Sequence, residues 1–205
     1  MSHGRNGPPR RHVSTTALRR ELLVFVEGLR TEEMYLIDWH RRYRDQVRVT
    51  IDPYRAGPFQ LVERAVAAQR AEAYDARRGR GRAYDQIWCV FDRDEHPNFE
   101  SAVNLAERHG IRVAVSNPCI ELWFLLHFED QTAFIDRHEA QARAETILRC
   151  SKVLTAAALE LLADRYDEAK ERATSLDEKH IGDGSPPGSN PSSGLWRVID
   201  QVRDA

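Results

Sequence analysis

Gln86-Ile87-Trp88-Cys89-Val90-Phe91-Asp92-Arg93-Asp94 reads as a buried strand that runs straight into two carboxylates. An apolar run of this length, bounded by polar residues, suits a strand covered on both faces, as in a parallel sheet. Leu22 to Val26 has the same character and stops at Glu27-Gly28. Val47 to Ile51 alternates as a further strand, and Ile111 to Val115 supplies a fourth. Between them lie helical stretches: 32–44, opened by Thr31 as a cap and striped by Met34, Tyr35, Ile37 and Trp39; 60–69; and 98–109, closed by Gly110. Asn117-Pro118 has the form of a helix cap with proline at the first helical position, ahead of an apolar helix over 120–128. Strands alternating with helices predict an α/β fold with a parallel sheet covered by helices.

The remaining chain reads as additions to that core. Residues 1–18, rich in Arg, Gly, Pro and Ser, read as a flexible basic tail, and 19–135 as the catalytic core. Residues 136–205 read as a helical extension completing the same compact domain, with one amphipathic helix over 155–174, a Gly/Ser/Pro loop over 180–194 and a last helix through Trp196 and Ile199. At 205 residues the chain is short for two full domains.

Composition narrows the function classes. Thirty Lys and Arg against 32 Asp and Glu leave a net charge of −2, so any nucleic-acid surface has to be local. Cys89, Cys119 and Cys150 lack metal-ligand spacing, which argues against a zinc site and a disulfide scaffold and fits a reducing cytoplasm. No stretch is long and apolar enough to span a bilayer as a helix, and the N-terminus has no apolar signal core.

In an open parallel sheet the strand carboxyl ends form one edge, where such folds bind ligands. The four strands end at Glu27, Asp52, Asp92 and Ser116-Asn117. Asp92 and Asp94 lie one residue apart, so in extended backbone both point the same way, and Glu27 joins them from a neighbouring strand. Two unit charges about 4 Å apart repel by roughly 4 kcal/mol at an effective dielectric of about 20, so the cluster needs a proton or a cation. Oxygen donors with positions left for water and phosphate suit Mg²⁺ or Mn²⁺. Glu27, Asp92 and Asp94 are therefore the expected metal ligands. Each has a plainer reading alone, Glu27 as a helix cap and the aspartates as solvated turn residues.

The motifs VFVEGLRTEEMYL (24–36), VFDRDEHPN (90–98) and SNPCIELWFLLHFED (116–130) resemble those of RloB-like proteins, and NPSSGLW (190–196) resembles that family's closing motif. The RloB-like core is similar to the Toprim catalytic domain of topoisomerases, primases and OLD-family nucleases, a Rossmann-like fold. The resemblance implies Mg²⁺ held by Glu27, Asp92 and Asp94. It also implies a nuclease of DNA or RNA, tRNA among them, acting in antiphage abortive infection beside an AAA or ABC-type ATPase. A homodimer is left open.

Further candidates surround this centre. Asn117, with Arg30 and Thr31, is a candidate for substrate contact through the start of its helix. Glu121, about one turn in, suits a second metal or a basic partner, or simply the helix dipole. Lys152 is a catalytic candidate for balancing transition-state charge. His127 reads as a core histidine, and no tyrosine stands out as a nucleophile. The Arg-rich run 77–82 enters the third strand at its amino end, across the sheet from the carboxylates. Two rival readings remain: a haloacid-dehalogenase-like phosphatase with Asp92 as nucleophile, which leaves Glu27 idle, and a catalytically silent metal- or nucleic-acid-binding regulatory subunit.

Overall fold

Strand β1 (Arg20–Val26) shows why the sheet needs two covers. Leu22, Val24 and Val26 face one buried cluster, and Leu23 and Phe25 face another, so alternation puts apolar groups on both sides. Strand β3 (Gln86–Asp92) repeats the pattern, Trp88 and Val90 against Ile87, Cys89 and Phe91. The computed structural model of the chain describes residues 19–28, 30–81, 83–93, 96–186 and 188–204. The basic tail, Asp94 and Arg82 lie outside them.

Between β1 and β3 the chain forms helix α1 (Thr31–Tyr43), strand β2 (Val47–Ile51) and helix α2 (Pro58–Arg77). After β3 come helix α3 (Phe99–His109), strand β4 (Arg112–Asn117) and helix α4 (Ile120–Leu126). Helices α5 (Arg137–Leu148), α6 (Ala156–Asp164) and α7 (Tyr166–Gly182), strand β5 (Ser192–Ser193) and helix α8 (Leu195–Arg203) complete it. The sheet order is β2-β1-β3-β4-β5, parallel throughout except for antiparallel β5. Residues of α2 and α3 close one face; residues of α1 and α4 to α8 share the cluster on the other. Because β2 and β3 flank β1, the chain reverses direction across the sheet there, and a crevice opens beyond the carboxyl ends of β1 and β3.

The parallel, doubly covered sheet is the one the sequence pattern predicts, and the later chain differs in detail. The helix expected over 155–174 breaks at Arg165. Ala158 and Leu162 are the buried stripe of α6, whereas Tyr166, Ala169, Ala173, Leu176 and His180 form a separate stripe that carries α7 to Gly182. The break lets Tyr166 enter the core, where its hydroxyl donates to Trp196 O at 3.0 Å and Asp200 Oδ1 at 2.7 Å. The loop expected over 180–194 is shorter and ends in β5, which pairs Ser193 with Ser116 and Ser192 with Asn117. Helix α2 begins at Pro58 and runs to Arg77, beyond both ends of the expected 60–69. Asn117 does not cap a helix. It is the last residue of β4; its bond to Pro118 is cis, and α4 starts only at Ile120 with Cys119 at the cap position.

Helices α1 and α4 are joined inside the core by a hydrogen bond from Trp123 Nε1 to Tyr35 Oη at 2.9 Å. Both rings are essentially inaccessible, so neither partner has water to fall back on. Tyr35→Phe strands the indole N–H and is expected to cost about 1–3 kcal/mol, read as a lower urea midpoint with an unchanged slope.

Candidate active site

Glu27 follows β1 directly, and its N–H still reaches Val90 O at 3.1 Å, so the β1–β3 ladder fixes its backbone. Its carboxylate spans two parts of the neighbouring strand end. Oε2 accepts from the Asp92 N–H at 3.3 Å, and Oε1 lies 3.0 Å from His96 Nε2 without hydrogen-bond alignment. Asp92 ends β3 on the side of Trp88 and Val90, only 8 % exposed. The Arg137 guanidinium, at the start of α5, stands 3.6 Å from its Oδ2.

A second pair of acids comes from the helices packed on that face. Glu32, in the first turn of α1, folds back over Gly28 so closely that a Cβ at position 28 would collide with its carboxyl group. Glycine there makes the close approach possible. Burial raises the Glu32 pKa against its own backbone N–H, and the charges of Glu121 and Glu27 raise it further, with Arg137 opposing. Burial holds the Asp92 carboxyl well above the usual carboxylate range, reinforced by Glu32, Glu121 and Glu27 and opposed by Arg137. Glu121 sits in the first turn of α4, hydrogen-bonded to the Cys119 thiol, whose pKa is raised by burial and by that carboxylate.

The other expected site residues scatter around this centre. Asp94 lies outside the described residues. Thr31 does not cap α1: Arg30, exposed, holds the cap position, and the Thr31 hydroxyl donates to Lys152 O at 3.0 Å. That bond ties the α5–α6 loop to the start of α1, and Thr31, Glu121 and Lys152 line one cavity of about 130 Å³. Asn117 Nδ2 donates to Gly188 O at 2.8 Å, so it fastens the C-terminal loop. Asp52 accepts from Tyr54 N in its own loop at 2.8 Å, and Arg64 of α2 stands 3.6 Å from its carboxylate. His127 is a buried core histidine bonded to Trp123 O at 2.8 Å, its pKa lowered to about 3 by burial. The Arg-rich run follows α2 and enters β3 at the amino end, about 20 Å from Asp92 along the strand.

Sequence reading missed His96 and Arg137 as parts of the crevice, and noted Glu32 only with Thr31, as a pair resembling the Thr-Glu of RloB-like proteins. His96 stands inside the quoted 90–98 motif, and Glu32 inside the first. Arg137 had only an indirect signal. Asp136 and Glu139 have capping-box spacing, and the Asp136 side chain does accept from Glu139 N at 2.9 Å, which marks a helix start at Arg137.

Among the described residues no three His, Cys, Asp or Glu side chains are gathered so as to hold a metal ion. The donor chemistry nevertheless fits a hard divalent cation. Glu27 reaches the end of β3 through the Asp92 N–H, and the Asp92 and Glu32 carboxyls, their pKa values raised by burial and by the neighbouring acids, lie in the same crevice.

Removing one of these charges without changing its shape tests this electrostatic picture. Since the folded-state pKa of Asp92 is raised, its contribution to stability is full below the unfolded value of 3.8 and is lost as pH rises through the folded value. Asp92→Asn stays neutral, so in chelator at neutral pH it is expected to melt about 2–4 °C higher than the wild type, equivalent to about 1 kcal/mol. The two curves should converge below about pH 4. A lower melting temperature for the variant at neutral pH would refute the repulsion.

The model of the family described as RloB-like protein matches residues 22–202. A search of the curated proteins finds no match. The matched span runs from β1 into α8 and takes in the whole acidic crevice, and the chain belongs to the RloB-like family.

Proposed function

We propose that this protein is a Mg²⁺- or Mn²⁺-dependent nuclease that hydrolyses phosphodiester bonds of DNA or RNA. The observation that carries the reading is the convergence of Glu27, Glu32, Asp92 and Glu121, mutually repelling, beyond the carboxyl ends of β1 and β3. Glu27 and Asp92 are the ligands that the described residues offer, and Asp94 is the third by the likeness to Toprim cores. A bound divalent cation would polarise the phosphoryl group, orient water and offset charge in the transition state.

The chain's own groups supply the rest. Glu27, with His96 beside it at 3.0 Å, is placed to take a proton from the attacking water. Lys152, on the loop held by Thr31, brings a positive charge to the Glu121 side of the crevice. The family likeness supports a cytoplasmic effector of abortive infection, working with an AAA or ABC-type ATPase. No described helix is long and apolar enough to cross a membrane. The phosphatase reading is weaker, because a scheme with Asp92 as nucleophile leaves Glu27, bonded to the Asp92 N–H, without a task.

Cleavage of single- and double-stranded DNA and RNA, including tRNA, with Mg²⁺ or Mn²⁺ tests the proposal. Glu27→Ala and Asp94→Ala should each lower the rate about 10²- to 10⁴-fold, and unchanged rates in both would end it. Phosphate trapped on Asp92 would favour the phosphatase. Metal and nucleic-acid binding without turnover, even with the ATPase added, would favour a regulatory subunit.

A further inference from the structure

Helix α5 presents Gln141, Glu145 and Leu148 at spacings of four and three residues, so the three side chains share one face. That face lines the cavity of about 130 Å³ whose other walls include Thr31, Glu121 and Lys152. Phe124, Ala144, Leu148 and Leu154, all buried, give the cavity an apolar lining. Its polar groups are uncommitted: among the described residues the side chains of Gln141, Glu145, Ser151 and Lys152 make no hydrogen bond or ion pair within the protein. The hydrogen bond from the Thr31 hydroxyl to Lys152 O, at 3.0 Å, holds the α5–α6 loop in place as one side. The cavity adjoins the acidic crevice directly, because Thr31 precedes Glu32 and Glu121 belongs to both.

Three properties select the ligand. Ligand pockets commonly enclose about 300–1,000 Å³, so a cavity well below that range suits a single ring system and not a whole nucleotide. Two carboxylates, Glu121 and Glu145, against the one ammonium of Lys152 disfavour a phosphate there. Apolar lining combined with free donors and acceptors matches an unstacked base, which has apolar faces and a hydrogen-bonding edge. A carboxylate only accepts, so it favours the exocyclic amino groups of adenine, cytosine or guanine, which thymine and uracil lack.

We propose that this cavity is a nucleobase subsite that takes the base of a nucleotide flanking the scissile phosphate and, through Glu145 and Gln141, prefers a base carrying an exocyclic amino group. This rests on the nuclease reading and adds a sequence preference to it.

Cys150 reports on the cavity, since it lines it and is partly exposed while Cys89 and Cys119 are buried. Its alkylation by iodoacetamide is followed by mass spectrometry, with Ca²⁺ replacing Mg²⁺ so that the oligonucleotides stay intact, and affinities are measured by fluorescence anisotropy. Oligodeoxyadenylate and oligodeoxycytidylate, each at about ten times its dissociation constant, should slow alkylation about tenfold. Oligothymidylate at the same saturation should slow it less than about twofold, since its base stays outside. The matching ribo series separates RNA from DNA as the source of the base. Gln141→Trp fills the cavity; relative to its own rate without oligonucleotide it should show no protection, with adenylate affinity reduced to that for thymidylate. Glu145→Gln, whose amide donates as well as accepts, should narrow the preference for adenylate over thymidylate about three- to tenfold. Melting curves check that both variants fold, and Glu145 is an exposed position whose substitution leaves the core untouched.

Equal protection by adenylate and thymidylate, or a wild-type preference in Glu145→Gln, overturns the reading of the base edge. Full protection in a folded Gln141→Trp overturns the subsite. If the wild type cleaves nucleic acid while no oligonucleotide slows Cys150 alkylation, the subsite fails and the nuclease reading stands. If the wild type neither binds nor cleaves, both fail.

Discussion

Carboxyl groups crowded into a buried crevice cannot all be anions unless something positive stands among them. This constraint organises the molecule around Asp92. The reversal of chain direction beside β1 brings Glu27 to it from the sheet, and the helices packed on that face bring Glu32 and Glu121. Burial, reinforced by these acids, raises the Asp92 pKa well above the usual range, and Arg137 opposes the shift from the side. A fold whose stability depended on this region alone would neutralise it. The cost is instead carried by two apolar clusters, one on each face of the sheet, of which the larger takes in residues from α1 and α4 to α8.

The parts legible in the sequence were those governed by local pattern. Apolar runs such as 22–26 and 86–91 identify strands because a strand buried on both faces has no solvent side to make polar, and Gly110 ends α3 with the left-handed backbone that glycine adopts most easily. Glu27 and Asp92 were legible as strand-end carboxylates. Parts that depend on distant packing were not. Asn117 carries the pattern of a helix cap but continues β4, because β5, some seventy residues later, supplies a partner for it. Thr31 likewise resembles a cap, yet its hydroxyl turns to Lys152 O, an acceptor 121 residues away. Arg137 shows the limit most plainly, since nothing in its neighbourhood marks it as facing Asp92.

The helical extension serves the crevice as well as covering the sheet. Tyr166 bonds to α8, His180 to the segment before β5, and Arg172 reaches back to Leu126 O at the end of α4. These links cross from late elements to early ones, so the helices that follow the core also set where the ends of β3, β4 and α4 lie. Family membership over 22–202 accords with this, because the matched span does not stop at the sheet.

The antiparallel strand β5 and Asn190, whose side chain bonds both the N–H and the C=O of Ile135, come after every crevice acid in chain order. A ribosome making this protein therefore releases Glu27, Asp92 and Glu121 first, and the strap that holds the start of α5 only after them. A nascent chain carries the acids before it carries their fastening, so the completed crevice waits for the Asn190 segment to emerge.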